Sequence, residues 1–304
     1  MSSQDRRIET QTVGRIFRCP KCFSNLNSTQ FVGPETCDSC GLSFSISNGV
    51  PVLLKDRASI ETLIETAKSQ GRADWYEAEQ TTQLKGPYRH HFKRRRDFVE
   101  SIIENYRSEM GSELIGLDIG TGDGVNTLWL SKYFSKLYAS DYNLLRLLRA
   151  AKLGSTSQVF VADINDYPVR DSTFDVIFFN HVLEHIPDDD RALSEVYRIL
   201  KPGGLLVLGV PNEGAAFWQL AYKLQPETLR TTDHVHFYTA ETLSKKCLNA
   251  QFKVQQIYPI GWGIPHWGLD ARVKGHKWVD DLFEKLGRAV LPSQCTSLYL
   301  ILSK

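Results

Sequence analysis

The eleven residues LIGLDIGTGDG, from Leu114 to Gly124, decide the fold. Their first half is an apolar run of strand length, and Gly120, Gly122 and Gly124 then occupy alternate positions. Glycines directly after a strand let backbone approach a ligand closely and let the next helix begin with free N–H groups. The alternation continues downstream. Val125 to Phe134 reads as a helix, KLYASD as a strand, Asn143 to Leu153 as a helix, and QVFVADI as a strand. FDVIFFN (strand), Arg191 to Leu200 (helix) and LLVLGVP (strand) complete the series. This order predicts an α/β fold with a mostly parallel sheet and helices on both faces. Ligands in such sheets bind beyond the C-terminal strand ends, at the topological switch point.

The informative residues do follow strands. Asp118 precedes the glycines, Asp141 ends the second strand, and Asp163 ends the third. A carboxylate at the second strand end can accept both hydroxyls of a ribose, which suits NAD and S-adenosylmethionine alike. Three details favour S-adenosylmethionine. The spacing is G-x-G-x-G and lacks the last glycine of the pyrophosphate-binding G-x-G-x-x-G. Asp118 suits an ammonium group and is unwelcome beside a pyrophosphate. Asp163 could accept a hydrogen bond from an adenine amino group.

The segments LDIGTGDG, YASDYN, VADINDYPV, FDVIFFNHVLEHIPD and LKPGGLLVLGVPN, taken in order, resemble the class I S-adenosylmethionine-dependent methyltransferases, particularly the type-11 group. The resemblance runs from about Gly86 to the C-terminus and implies a Rossmann-like sheet ending in an antiparallel pair. FKVQQIYPI and TSLYLILSK fit that pair, with a long insert between them. It further implies that Asp118, Gly120 and Gly122 contact the methionine part of the cofactor and Asp141 the ribose. Asp163 and Ile164 would frame the adenine, and Asn180 would line the sulfonium side.

NHVLEHIPDDD, Asn180 to Asp190, contains H-x-x-E-H, the order used by inverzincin zinc peptidases. It starts immediately after a buried strand, whereas the peptidase motif lies within a helix and needs a further ligand downstream. The segment therefore reads as the wall beneath the transferred methyl group. Methyl transfer to a hydroxyl needs a base, and the candidates near strand ends are His181, Glu184, His185, His234 and His236. His181 and His234 are the preferred catalytic residues. The structural alternative for each is a loop-holding or core side chain.

A second module precedes this domain. Cys19 and Cys22 form one C-x2-C pair, and Cys37 and Cys40 form another after fourteen intervening residues. That spacing predicts four thiolates around a structural Zn2+, closed to substrate. Thr29-Gln-Phe-Val and Leu42-Ser-Phe-Ser-Ile alternate as ribbon strands, and Gly41 suits the turn after the second pair. Disulfides or unrelated thiols are the alternatives, and Cys247 and Cys295 read as buried small side chains. Ser47 to Leu54 resembles the end of the zinc ribbons that activate tRNA methyltransferases, a family found beside or fused to methyltransferases. The expected organisation is a zinc ribbon at 1–56, a linker at 57–85 and the methyltransferase domain at 86–304. An amphipathic helix with Phe92, Val99, Ile102, Ile103 and Tyr106 on one face opens the last unit. Its Lys93 to Arg96 run could contact phosphate or carboxylate, or simply be solvated.

Across all 304 residues the chain is 42% apolar and 23% charged, with a formal charge of +1. That balance gives no bulk attraction to nucleic acid or anionic membrane. The first residues lack a signal-peptide apolar core, and no apolar run is long enough for a transmembrane segment, so a cytoplasmic protein is expected. The preferred acceptor is a small-molecule, lipid-linked or glycan substrate methylated on oxygen (or nitrogen). Aromatics in Ala215 to Thr232 and in GWGIPHWGLDARVKGHKW would wall its pocket. A second reading is an RNA methyltransferase, since ribbon-fused rRNA guanine methyltransferases share the arrangement. The Asn-Pro-Pro-aromatic motif that related families use for base nitrogens is missing after the fourth strand. A third is a non-catalytic scaffold, which the intact glycine loop and Asp141 argue against.

Overall fold

The computed structural model describes residues 16–27, 35–56, 62, 65, 85–153 and 158–304. Five parallel strands form its centre: β4 (Ile115–Ile119), β5 (Lys136–Asp141), β6 (Gln158–Ala162), β7 (Phe174–Asn180) and β8 (Leu200–Pro211). They lie in the order β6-β5-β4-β7-β8, so the winding reverses between β4 and β7. The glycine loop therefore leaves β4 at the switch point, as the sequence pattern requires. Strand β7 is apolar almost throughout and is buried on both faces, the normal state of a central parallel strand. Strand β10 (Ser297–Ser303) pairs antiparallel with both β8 and β9 (Lys253–Ile260), giving the expected C-terminal pair.

The helices follow local chemistry. Asn143 caps α3 (Leu144–Lys152) by accepting from the Arg146 N–H at 3.2 Å. Asp188 caps α4 (Asp189–Ile199) through the Arg191 N–H, so this helix begins two residues earlier than its apolar period suggests. Helix α2 (Val125–Leu130) is shorter than expected and continues as a 3-10 turn over Ser131–Tyr133. Helix α1 (Arg89–Met110) lays Val99, Ile103, Ile102 and Tyr106 on the sheet. After β8 come α5 (Ala216–Leu224), α6 (Pro226–Thr231) and α7 (Ala240–Asn249). The long insert between β9 and β10 folds into α8 (Trp267–Lys274) and α9 (Lys277–Val290). Arg94 of α1 pins α9 through Asp280 at 2.6 Å and Asp281 at 2.7 Å. No described helix is long and apolar enough to cross a membrane.

The cysteine module is built into the sheet. β1 (Glu35–Thr36) pairs with β2 (Ser43–Ser47), and β2 pairs with β3 (Val50–Leu53) across an Asn48-Gly49 turn. Both turn residues have positive φ, 47° and 81°, the geometry favoured in two-residue hairpins. β3 then runs parallel to β6, with Val52 opposite Val161 and Leu53 opposite Ala162. This covers an edge that would otherwise expose unpaired backbone groups. Phe44, Leu53 and Phe17 enter the main core, where Phe17 meets Phe160 edge-on at 5.1 Å. Ribbon and sheet thus share one core. The expected strand Thr29–Val32 and nearly all of the 57–85 linker lie outside the described residues.

Candidate active site

Two contiguous cavities open at the C-terminal ends of β4 to β8. The smaller, about 360 Å3, is lined by Asp141, Asn143, Asp163, Ile164, Gly120 and His181. The larger, about 640 Å3, runs from Gly120 and Gly122 past Asn180 and His181 to Glu184, Glu213 and His234. His181 lines both.

The glycine loop is held tightly. The Gly120 and Thr121 N–H groups donate to the Ser140 carbonyl at 2.8 and 3.0 Å. Gly120 has φ 70°, and a Cβ there would lie 2.1 Å from Val182 Cγ2. Asp141 clamps the loop: Oδ2 accepts from Gly122 N and Oδ1 from Asn143 N, each at 2.8 Å. Asp163 Oδ1 accepts from Asn165 N at 2.9 Å. Asp118 departs from expectation. It is only 2% exposed and lines neither cavity, lying beneath the loop where Thr127 donates to it at 2.6 Å. Burial pushes its carboxyl up to about 7, so it braces the loop from below.

The wall after β7 is strained and polar. His181 adopts φ 55°, unusual for a residue with a Cβ, and its N–H donates to the Gly209 carbonyl at 2.8 Å. Its Nε2 is buried with no hydrogen-bond partner, while Nδ1 lies 3.3 Å from Glu184 Oε1. Burial, and then the Arg95 charge, hold the imidazole well below its usual pKa. Glu184 is completely buried, and neither of its carboxylate oxygens makes a hydrogen bond. Burial raises its carboxyl to about 7.

The Glu184 carbonyl accepts from Val235 and His236 N–H at 2.8 and 3.2 Å, which draws the 233–238 segment over the cavity. His234 Nδ1 then meets Glu213 Oε2 at 2.7 Å, and Tyr222 donates its hydroxyl to the same carboxylate. His185 Nδ1 lies 2.9 Å from Asp233 Oδ1, off the line a hydrogen bond needs, and its ring meets that of His234 edge-on at 4.6 Å. His236 is turned away: its Nε2 bonds the Ile186 carbonyl at 3.0 Å and it lines neither cavity. It is a loop anchor and leaves the set of candidate bases.

Glu213 and Tyr299 lie outside the sequence-based candidates, whereas Arg95 belongs to the basic run and Tyr222 to the aromatics of 215–232 expected to wall the pocket. Arg95 Nε donates to the Tyr299 hydroxyl at 2.8 Å, and that hydroxyl donates to Asn180 Oδ1 at 2.8 Å. The rest of the basic run is neutralised within the chain. Lys93 pairs with Asp97, Arg94 with Asp280 and Asp281, and Arg96 with Glu100. Of the three tryptophans in GWGIPHWGLDARVKGHKW only Trp267 reaches the cavity, where it meets Trp218 at 4.6 Å. Trp262 is in the core and Trp278 is exposed.

Away from both cavities, the Cys19, Cys22, Cys37 and Cys40 sulfurs lie within 4.8 Å of one another. Cys19–Cys40 and Cys22–Cys37 are each 3.6 Å apart. Tetrahedral Zn–S bonds of about 2.3 Å require sulfurs about 3.8 Å apart, so the donor set fits zinc. The two knuckles are equivalent. The Phe23 N–H returns to the Cys19 carbonyl and the Gly41 N–H to the Cys37 carbonyl, both at 2.9 Å.

Residues 117–208 match the family model described as the methyltransferase domain. A ubiquinone/menaquinone biosynthesis C-methyltransferase of Desulfotalea psychrophila is 32% identical over 97 residues, 31% of this chain and 39% of that protein. A demethylmenaquinone methyltransferase of Corynebacterium glutamicum is 27% identical over 160 residues, 50% of this chain and 68% of that protein. The chain thus spans well under half the length of the first relative. In fold it is similar to a SAM-dependent methyltransferase structure from Thermotoga maritima, with a TM-score of 0.51 and 19% identity over 80% of this chain and 99% of that one. Residues 117–208 thus match a methyltransferase-domain family, carried on a fold similar to that of a SAM-dependent methyltransferase structure.

Proposed function

We propose that the chain transfers the methyl group of S-adenosylmethionine to an oxygen of a small-molecule, lipid-linked or glycan acceptor. The observation that carries this reading is the junction at His181. His181, whose buried Nε2 has no hydrogen-bond partner, lines both the cofactor-sized cavity and the larger, aromatic-walled one. In the smaller cavity Asp141 takes the ribose, and Asp163 and Ile164 frame the adenine. Gly120 and Gly122 receive the methionine part, with Asp118 acting through the loop. Asn180, fixed by Tyr299 and Arg95, lines the sulfonium side.

The acceptor oxygen then attacks the methyl carbon in line with the sulfur. The O–C bond forms as the S–C bond breaks, sulfur leaves neutral, and the hydroxyl proton passes to His181 Nε2. His234, oriented by Glu213, lines the same larger cavity. The relatives named for quinone biosynthesis, one of them a C-methyltransferase, support a small-molecule acceptor. The intramolecular pairing of Lys93, Arg94 and Arg96 removes most of the basic track on which an RNA acceptor would depend. The four cysteines hold a structural Zn2+ that keeps the ribbon on β6.

A labelled-methyl transfer assay on fractionated extract tests the reading. Label should enter the small-molecule or lipid fraction, and His181→Asn should lower turnover by roughly 10^2-fold or more with cofactor affinity retained. Label in RNA alone, or no cofactor binding by calorimetry, would refute it.

A further inference from the structure

The buried carboxylate of Glu184 is the least explained group in the molecule. Both of its oxygens lack a hydrogen-bond partner, and an uncompensated buried carboxylate costs several kcal/mol, about the scale of a lost buried ion pair. Native structures seldom leave such atoms orphaned. The side chains around it are not apolar filler. Ligand atoms of Glu184, His185 and His234 all lie within 4.8 Å of one another, on two separate chain segments.

We infer that Glu184, His185 and His234 form a binding site for a divalent first-row transition metal in the acceptor cavity, distinct from the four-cysteine site. The donor set, one carboxylate and two imidazoles, is the borderline type that takes Zn2+ and its neighbours. The surrounding carboxylates fit the same assignment. Glu213 lies against Nδ1 of His234 at 2.7 Å, and Asp233 lies 2.9 Å from Nδ1 of His185. His234 Nδ1 is taken by Glu213, which leaves its Nε2 for a metal, while His185 Nδ1 makes no hydrogen bond and stays available as a donor. A carboxylate behind a ligating histidine is the usual supporting arrangement, since it fixes the tautomer and raises ligand basicity.

Metal bonds of about 2.0–2.2 Å place tetrahedral donors about 3.4 Å apart. The donors here lie within 4.8 Å of one another, so modest rotation of the two partly exposed histidines suffices to close the site around an ion. H-x-x-E-H is therefore half of a metal site after all, although not in the peptidase manner. Its last two residues ligate, the third ligand comes from beyond β8, and His181 is left outside.

Three protein ligands leave at least one coordination position, and it faces the larger cavity that Glu184 and His234 line. Resting on the acceptor reading above, that position receives the acceptor hydroxyl, and the cation lowers its pKa while His181 removes the proton.

The test is a metal count on the full chain, which needs neither cofactor nor acceptor. After loading with Zn2+ and dialysis, elemental analysis should find about two zinc ions per chain, one for each site. Glu184→Gln and His234→Ala should each lower that to about one. With Co2+ in place of zinc, the variants should keep the thiolate-to-cobalt charge-transfer band of the cysteines and lose the additional weak visible bands of a nitrogen and oxygen site. Should Glu184→Gln fail to fold, judged by circular dichroism, His234→Ala decides alone. A wild-type count of about one, or a second ion retained in a folded His234→Ala protein, overturns the inference. The first outcome would assign the buried carboxylate to a cationic acceptor instead. Loss of cofactor binding would strike the methyltransferase reading and leave the metal count standing.

Discussion

Asp141 offers the sharpest test of how the cofactor is held. Its two oxygens each accept one backbone N–H at 2.8 Å, from Gly122 and from Asn143. Each keeps further lone pairs for a ribose hydroxyl in the adjoining cavity. Asp141→Asn preserves shape and one acceptor, but its amide nitrogen must face a backbone donor. The hydroxyls also exchange a charged acceptor for a neutral one. Hydrogen bonds to charged groups contribute about 1.5–3 kcal/mol and neutral ones about 0.5–1.5 kcal/mol. Across two hydroxyls the loss is about 2–3 kcal/mol, roughly a thirty- to hundredfold weaker Kd at about 1.4 kcal/mol per tenfold. Calorimetry with S-adenosylhomocysteine and its 2′,3′-dideoxy analogue measures this directly. On passing to the analogue wild type should lose about 3–6 kcal/mol and the variant about 1–3 kcal/mol, by the same figures. A variant that binds the intact ligand within about threefold of wild type refutes the clamp. So does one that still discriminates against the analogue as strongly as wild type.

Gly120→Ala combines a left-handed backbone cost of about 1–2 kcal/mol with a Cβ placed 2.1 Å from Val182. Cofactor binding should become undetectable by calorimetry while circular dichroism stays near native, and the double variant with Val182→Ala should recover part of it. Chelation of zinc, or Cys37→Ser, should lower the Tm of the whole chain and not just loosen the ribbon, because β3 completes the sheet against β6. An unchanged melting curve would contradict the shared core. Asp280→Ala should destabilise by about 3–5 kcal/mol in urea unfolding, since it strands the buried Lys274 ammonium that lies 3.4 Å from it. Lys274→Met combined with Asp280→Leu should recover much of that loss.

The central fold was legible because its causes are local. Near-continuous apolar runs such as FDVIFFN, interrupted at strand ends by glycine and aspartate, can satisfy their backbone groups only within a parallel sheet. Asp141, Asp163, Ile164, Gly120 and Gly122 line the cavities for the same reason, since strand ends face the crevice. Asp118 was misplaced. Sequence position put it beside the loop, but strand alternation turned its side chain beneath the loop toward Thr127.

Nothing local says which edge the hairpin across Asn48-Gly49 covers. That depends on β6, more than a hundred residues away. Arg95 could not be told from its basic neighbours by type. Helix geometry sends it inward to Tyr299, while Lys93, Arg94 and Arg96 find carboxylates along or across the helices. In the sequence His234 and His236 share a face as alternate residues of one segment, and only His234 is preferred as a base. The Glu184 carbonyl holds that segment so that one imidazole enters the cavity and the other bonds the Ile186 carbonyl.

Sequence by itself therefore determined the alternation of strands and helices at the centre, the glycine loop and strand-end carboxylates, and the clustering of the four thiols, because these follow from periodicity and spacing within short windows. Tertiary structure alone decided which titratable groups meet around Glu184. Their encounter depends on loops from β7 and β8 closing over one another, and no local pattern encodes that convergence.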